Sequence, residues 1–389
     1  MIEKKQRFPE FYIKLMLIVC LLIVYFIINM QSNIVSLLFS ISFIILIILF
    51  FRLYFIYGIN KTETIDLFLL YSIIMIAFAA TIDSTMSFVY LKKYILFCST
   101  LIFLLIINKI EIGKKTVNFI FIINALIAII YIYYVYYVKI YYTHIGLTLN
   151  FSNPNLTGIW IYHTILFLIL ATIFYKNKLL KLIYFVGSIS LVYPMILTRS
   201  RTVLVSLICF SLLALFIWIR RNVKISKYFV VFILLTPLLS GGIYLKLLDS
   251  RKIAIFDFLV SEGKSIESRE AVWLNAFSQL KSNLFLGTYH EVTQQMHNTH
   301  IDILVSYGVI VFVLTMVFIA RILLKISKQS NSKFNTISLI AFLSVIILGT
   351  FEAALFSGGT GLYILSISLL LLAKLKKESE SESSYNTDD

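Results

Sequence analysis

Charge is what this sequence has least of. Only 14% of its 389 residues are Asp, Glu, Lys or Arg, while 60% are hydrophobic. Soluble domains hold roughly 25% and 45–50%. No soluble core needs so much Ile, Leu and Phe. Cysteine is also scarce: Cys20, Cys98 and Cys209 each lie inside an apolar run, and no pair has metal or redox spacing. They read as small hydrophobes. The alternating segments of about 10 residues that mark a membrane β-barrel are missing. So is a small-x-small cleavage site after the first apolar run. Lys4, Lys5 and Arg7 with the run at 11–30 therefore read as a first membrane helix, not a signal peptide.

What the sequence has is runs of about 20 apolar residues, the length that crosses a hydrocarbon slab of roughly 30 Å as helix. Backbone in lipid must satisfy its own hydrogen bonds, which makes such runs helical. They fall at about 11–30, 34–57, 64–82, 88–108, 116–138, 156–175, 180–198, 202–219, 226–245, 301–320, 335–351 and 355–373. The expected fold is an all-α integral membrane protein of about 12 transmembrane helices. The polytopic domain covers 1–377. The Glu/Ser/Asp tail at 378–389 cannot bury anything and is expected to be disordered in the cytoplasm.

The net charge of +15 does not imply a nucleic acid, because the basic residues form short clusters between apolar runs rather than one patch. Loop bias accounts for them. With the N-terminus inside, the inner connections hold Lys109, Lys114 and Lys115; Lys176, Lys178 and Lys181; Arg220, Arg221 and Lys224; and Arg321, Lys325 and Lys328. Both termini are then cytoplasmic. The one large hydrophilic segment, about 246–300, is outside. Within it, Ala271, Val272, Trp273, Ala276, Phe277 and Leu280 recur at helical spacing, an amphipathic or simply packed loop helix over 268–280.

The sharpest anomaly is Thr198-Arg199-Ser200-Arg201 at the outer end of the seventh run, where two arginines oppose the basic-inside trend. Charge at a membrane segment is costly and tends to be functional. A guanidinium fork matches phosphate oxygens. Snorkelling to lipid phosphate is the plain alternative. The second feature is His297-Asn298-Thr299-His300, directly before the tenth run. A histidine there is placed to take a proton from a sugar hydroxyl, or simply to cap a helix. A metal held by His290, His297 and His300 matches no strong zinc spacing. Arg269 and Trp273 lie four residues apart on the loop helix, suited to phosphate and sugar ring, or to an ion pair and an interfacial anchor. Glu352 is an acidic candidate at membrane depth, and Asp66 and Asp83 are weaker ones. Asn153-Pro154-Asn155 reads as a helix start.

Taken together, Arg201 at a helix end, a large outer loop holding Arg269, Trp273 and Gly287, and His297-Asn298 leading into a helix resemble the O-antigen polymerase and O-antigen ligase superfamily. The ligase pattern runs His, then Asn, Ser or Gln, nine residues, Gly, two residues and a small residue. Here His297-Asn298 is followed by nine residues, Gly308, two more and Val311. The family's Arg-x-x-x-Leu has Val205 at its last position. The resemblance covers about residues 150–360. It implies a membrane glycosyltransferase acting on an undecaprenyl-pyrophosphate-linked oligosaccharide at the outer face. His297 would be the base; Arg201 and Arg269 would hold the pyrophosphate. Arg199, Trp273, His300 and Glu352 complete the expected substrate-binding set. Pyrophosphate leaves readily, so no metal or cofactor is expected. A flippase and a chain-length regulator are the expected protein partners. Richness in Ile, Lys and Asn suggests an AT-rich, Gram-positive genome and favours polymerase over ligase. The rival from another class is a lipid-linked oligosaccharide flippase, which should gather charge at the bilayer midplane.

Overall fold

The computed structural model describes residues 48, 64–82, 88–107, 111–138, 142–143, 146–148, 154–219, 225–249, 267–288, 296–329, 332–350 and 374–375. The runs at 11–30, 34–57 and 355–373 lie outside these, apart from Ile48. So does the tail at 378–389.

The described residues are overwhelmingly helical. In chain order they form α1 (Thr64–Ile82), α2 (Phe88–Ile107), α3 (Lys114–Tyr133, continued as π-helix over Tyr134–Val138), α4 (Pro154–Phe174), α5 (Lys178–Ser190), α6 (Val192–Leu197), α7 (Arg201–Ile219), α8 (Lys227–Asp249), α9 (Glu267–Leu280), α10 (Thr299–Gln329) and α11 (Lys333–Leu348). Two pairs of two-residue strands are added: β1 (Glu111–Ile112) with β4 (Lys374–Leu375), parallel, and β2 (Tyr142–Thr143) with β3 (Gly146–Leu147), antiparallel.

Five stretches are long and apolar enough to cross a membrane: Thr64–Thr81, Lys114–Val138, Pro154–Phe174, Lys178–Leu197 and Thr299–Lys328. The fifth and sixth helices share one of them, so the expected run 180–198 is a helix interrupted at Leu191. The surface agrees with lipid. Ile65, Phe68, Tyr71, Met75 and Phe78 of α1 are exposed at helical spacing, as are Leu182, Ile183, Phe185, Val186 and Ile189 of α5. In water such faces would drive association; in hydrocarbon they cost nothing. The chain is a helical membrane protein.

Helix α4 is the centre. Apolar on every side, it is the kind of helix that must be surrounded, and Ile161, Tyr162, Leu166 and Ala171 are fully buried. It begins at Pro154, where a missing N–H and a fixed φ favour a helix start. Tyr162 ties two neighbours together. Its hydroxyl lies 2.5 Å from Ser344 Oγ of α11 and donates to Ser206 O of α7 at 3.4 Å.

Helix α10 runs opposite to α1, α8 and α11. Asp66, near the start of α1, accepts from Arg321 Nε at 2.7 Å and from Lys325 Nζ, both near the end of α10. Ser327 of α10 donates to Ile225 O just ahead of α8. At the other end, the Thr299 N–H that opens α10 donates to Gly349 O just past α11. Arg321 and Lys325, expected in a loop, belong to the last turns of α10, which runs past the expected 301–320. The β1–β4 pairing puts residues 111–112 and 374–375 on one side of the bundle.

Candidate active site at one end of the bundle

The Thr198–Arg201 segment is the turn between α6 and α7. Thr198 Oγ1 donates back to Met195 O at 2.7 Å and accepts the Ser200 N–H at 3.3 Å. Thr198 and Ser200 are buried while Arg199 projects, and Arg201 is half-buried at the first position of α7. Two glycines admit this turn. A Cβ on Gly146, which has φ +130°, would sit 2.7 Å from Thr198 O; one on Gly158 would sit 3.0 Å from Thr198 Oγ1. Arg199 pays for the tight turn with φ 55°, left-handed backbone for a branched-chain-free but bulky residue.

Asn298 organises the second segment. Its Oδ1 accepts the N–H groups of His300 at 2.9 Å and Ile301 at 3.0 Å, which caps α10. Its Nδ2 donates to Pro237 O, midway along α8, and to Thr350 O beyond α11, both at 2.8 Å. Every hydrogen-bonding position of this buried carboxamide is used. Immediately before it, His297 is held half-buried with φ 49°. One residue earlier, Met296 O accepts the Trp273 indole N–H at 2.5 Å.

Helix α10 is broken at Gly308, where φ 79° and ψ 176° are not helical. The loop after α9 fills the break. Val309 N–H donates to Leu284 O at 3.0 Å and Val305 O accepts from Thr288 N–H at 2.8 Å, so two loop bonds replace one helical bond. Gly287 makes the approach possible: a Cβ there would lie 2.6 Å from Gly308 N, and one on Gly308 would lie 2.1 Å from Phe285 O.

The two motifs share one end of the bundle. Ser206 and Ser344 meet at Tyr162. From there α7 runs back six residues to Ser200 and α11 runs on six residues to Thr350, roughly 9 Å in each case. Thr350 in turn holds Asn298. Ser200 Oγ and Thr350 Oγ1 are buried without a hydrogen-bond partner.

Two expectations are corrected. Trp273 offers no ring to a sugar: it is fully buried among Ala276, Met296, Ile301 and Val305, with its N–H committed. It anchors the loop instead. His300, expected to bind substrate, turns into the bundle from the second position of α10, while His297 lies outside that helix in left-handed backbone. His300 is 1% exposed and packs edge-on against Phe312 at 5.9 Å. Its ring faces the Leu234 backbone of α8 without a well-formed hydrogen bond. Arg269 stands one turn before Trp273 on α9, which starts within a residue of the expected position. Glu352, Asp83, His290 and Asn153 lie outside the described residues. Among the described residues no three His, Cys, Asp or Glu side chains gather as metal ligands.

Sequence reasoning missed a charge pair at this end. Lys93 of α2 donates to Asp302 Oδ1 of α10 at 2.8 Å and to Ser306 Oγ at 3.1 Å. The signal was present, since both charges stand near the ends of apolar runs. Comparison with protein-family models and with curated proteins found no match.

Proposed function

We propose that this chain is a bacterial membrane glycosyltransferase, a polymerase that joins polyprenyl-pyrophosphate-linked oligosaccharide repeat units at the outer face of the cytoplasmic membrane. One observation carries the reading. Among the described residues, the two non-glycine residues in left-handed backbone are Arg199 and His297, one in each motif that the sequence singled out. Such backbone costs roughly 1–2 kcal/mol per residue. It persists where the surroundings over-determine it, and it concentrates at functional sites.

In this reading His297 takes the proton of an acceptor sugar hydroxyl. The hydroxyl oxygen attacks the anomeric carbon of the donor, and the bond from that carbon to the lipid pyrophosphate breaks. Arg199, Arg201 and Arg269 stabilise the negative charge that develops on the departing pyrophosphate. Asn298 holds His297 in place through α8 and α11. The chain then crosses the membrane about twelve times, with both termini cytoplasmic and the 246–300 segment outside. The β1–β4 pairing and the direction of α10 against α1, α8 and α11 support that topology. The acceptor, a further lipid-linked unit or a finished glycan's target, distinguishes polymerase from ligase. A flippase and a chain-length regulator are its proposed protein partners.

A second reading has its own observation. Broken helices mark the substrate sites of transporters, and α10 is broken at Gly308. Purified protein in vesicles with lipid-linked repeat units separates the two. Longer glycan and free undecaprenyl pyrophosphate support the polymerase; units that change leaflet unjoined support the transporter.

A further inference from the structure

Residues 299–307 are a separate piece of helix, cut off from the rest of α10 at Gly308. Contacts from outside the piece hold it at both ends. Asn298 fastens its start to α8 and α11. The loop at 284–288 fastens its end. Along its side runs α2. Lys93 bonds Asp302 and Ser306, and one turn further on the Phe97 ring stacks on Tyr307 with centroids 4.7 Å apart. The ion pair is half-hidden: the Asp302 side chain is 6% exposed and that of Lys93 25%. Helical side chains lean toward the N-terminus. The Asp302 carboxylate therefore leans back over the turn closed by its own N–H to Asn298 O at 2.9 Å. That turn carries His297 at its mouth. Ile301 and Val305 pack another side of the piece against Trp273, and the α2 contacts are its polar tie on the remaining side.

We infer that Lys93 and Asp302 are a positioning pair for His297. They act through the first turn of α10 and do not touch substrate. The inference rests on the proposed role of His297, so its test needs a readout that does not depend on glycan chemistry.

The experiment uses the full chain purified in nanodiscs. His297 is carbethoxylated with diethyl pyrocarbonate, and the rate is read by peptide mass spectrometry against an added histidine-containing reference peptide. Lys93→Asp and Asp302→Lys should each change the His297 rate several-fold, and the double reversal should restore it. In the polymerisation assay the single variants should lose about tenfold in kcat with KM unchanged, the pattern of an interaction felt only in the transition state. Asp66→Asn is the control: it breaks an ion pair of the same helix at its far end, and should lower Tm without altering the labelling of His297. Should the reversals not fold, Lys93→Gln, which keeps a donor but no charge, takes their place. Unchanged labelling in folded single variants overturns the inference, as does a folded double reversal that fails to restore it. Wild-type protein that labels as expected but joins no glycan would instead remove the polymerase reading and leave the pair standing.

Discussion

Among the described residues, His297 and Arg199 are the non-glycine positions with left-handed backbone, and that strain separates stability from activity. Arg199→Gly removes the left-handed penalty of roughly 1–2 kcal/mol, offset in part by glycine's larger entropy loss of roughly 0.5–1 kcal/mol. Its Tm should stay level or rise while polymer is lost with the guanidinium. Thermal unfolding beside a gel of surface glycan checks both. Arg201→Lys keeps a charge but loses the two-pronged fork, so polymer should fall although the protein inserts normally. Full polymer from that variant would make Arg201 a membrane anchor. Asn298→Asp keeps the cap acceptor but turns a carboxylate toward the carbonyls of Pro237 and Thr350. Leaving buried groups unpaired costs about 1–3 kcal/mol, so Tm should fall clearly. The arginines and His297 were legible in the sequence as residue types in the wrong place. Their backbone strain was not, because it depends on Gly146, Gly158 and Asn298, which lie far off in the chain or have their partners there.

At the scale of elements, the helices were legible because apolar length dictates them. The break at Gly308 was not, because a glycine in an apolar run carries no sign of what packs on it; the interruption at Leu191 had its sign in Pro194, which lacks the N–H that would bond Ser190 O. Gly308 entered the sequence reading only through a motif; its physical reason is the loop at 284–288 threading against it. Helix α10 also explains its own length. Its 31 residues span roughly 46 Å at 1.5 Å per residue, more than a hydrocarbon slab of roughly 30 Å needs. The part beyond Gly308 alone, about 32 Å, is enough to cross. The piece at 299–307 is surplus to the span and free to build a site. Gly308→Ala forces a Cβ into the position where Phe285 O lies 2.1 Å away. It should destabilise the protein by about 3 kcal/mol or more, the range of severe backbone and packing faults. Circular dichroism melting in detergent measures this. Wild-type stability would mean that the loop does not close on α10.

In the proposed topology of the whole molecule, the end with the candidate site lies outside the membrane and the basic connections lie inside. A reporter fused after Lys264 should be active outside, and one fused after Lys224 should be active in the cytoplasm. A cytoplasmic reading at Lys264 would put the site on the wrong side for a lipid-linked glycan presented at the outer face. The central claim is that His297 takes the acceptor's proton, and general-base catalysis of this kind contributes roughly 10²–10⁴-fold. The direct measurement is polymer formed from undecaprenyl-pyrophosphate-linked repeat units by wild-type and His297→Ala protein in proteoliposomes, at equal protein in the membrane. The expected result is a ladder of polymer with the wild type, and traces with unreacted single units for His297→Ala. A normal ladder from His297→Ala would contradict the assignment and leave His297 as a strained residue at a helix start.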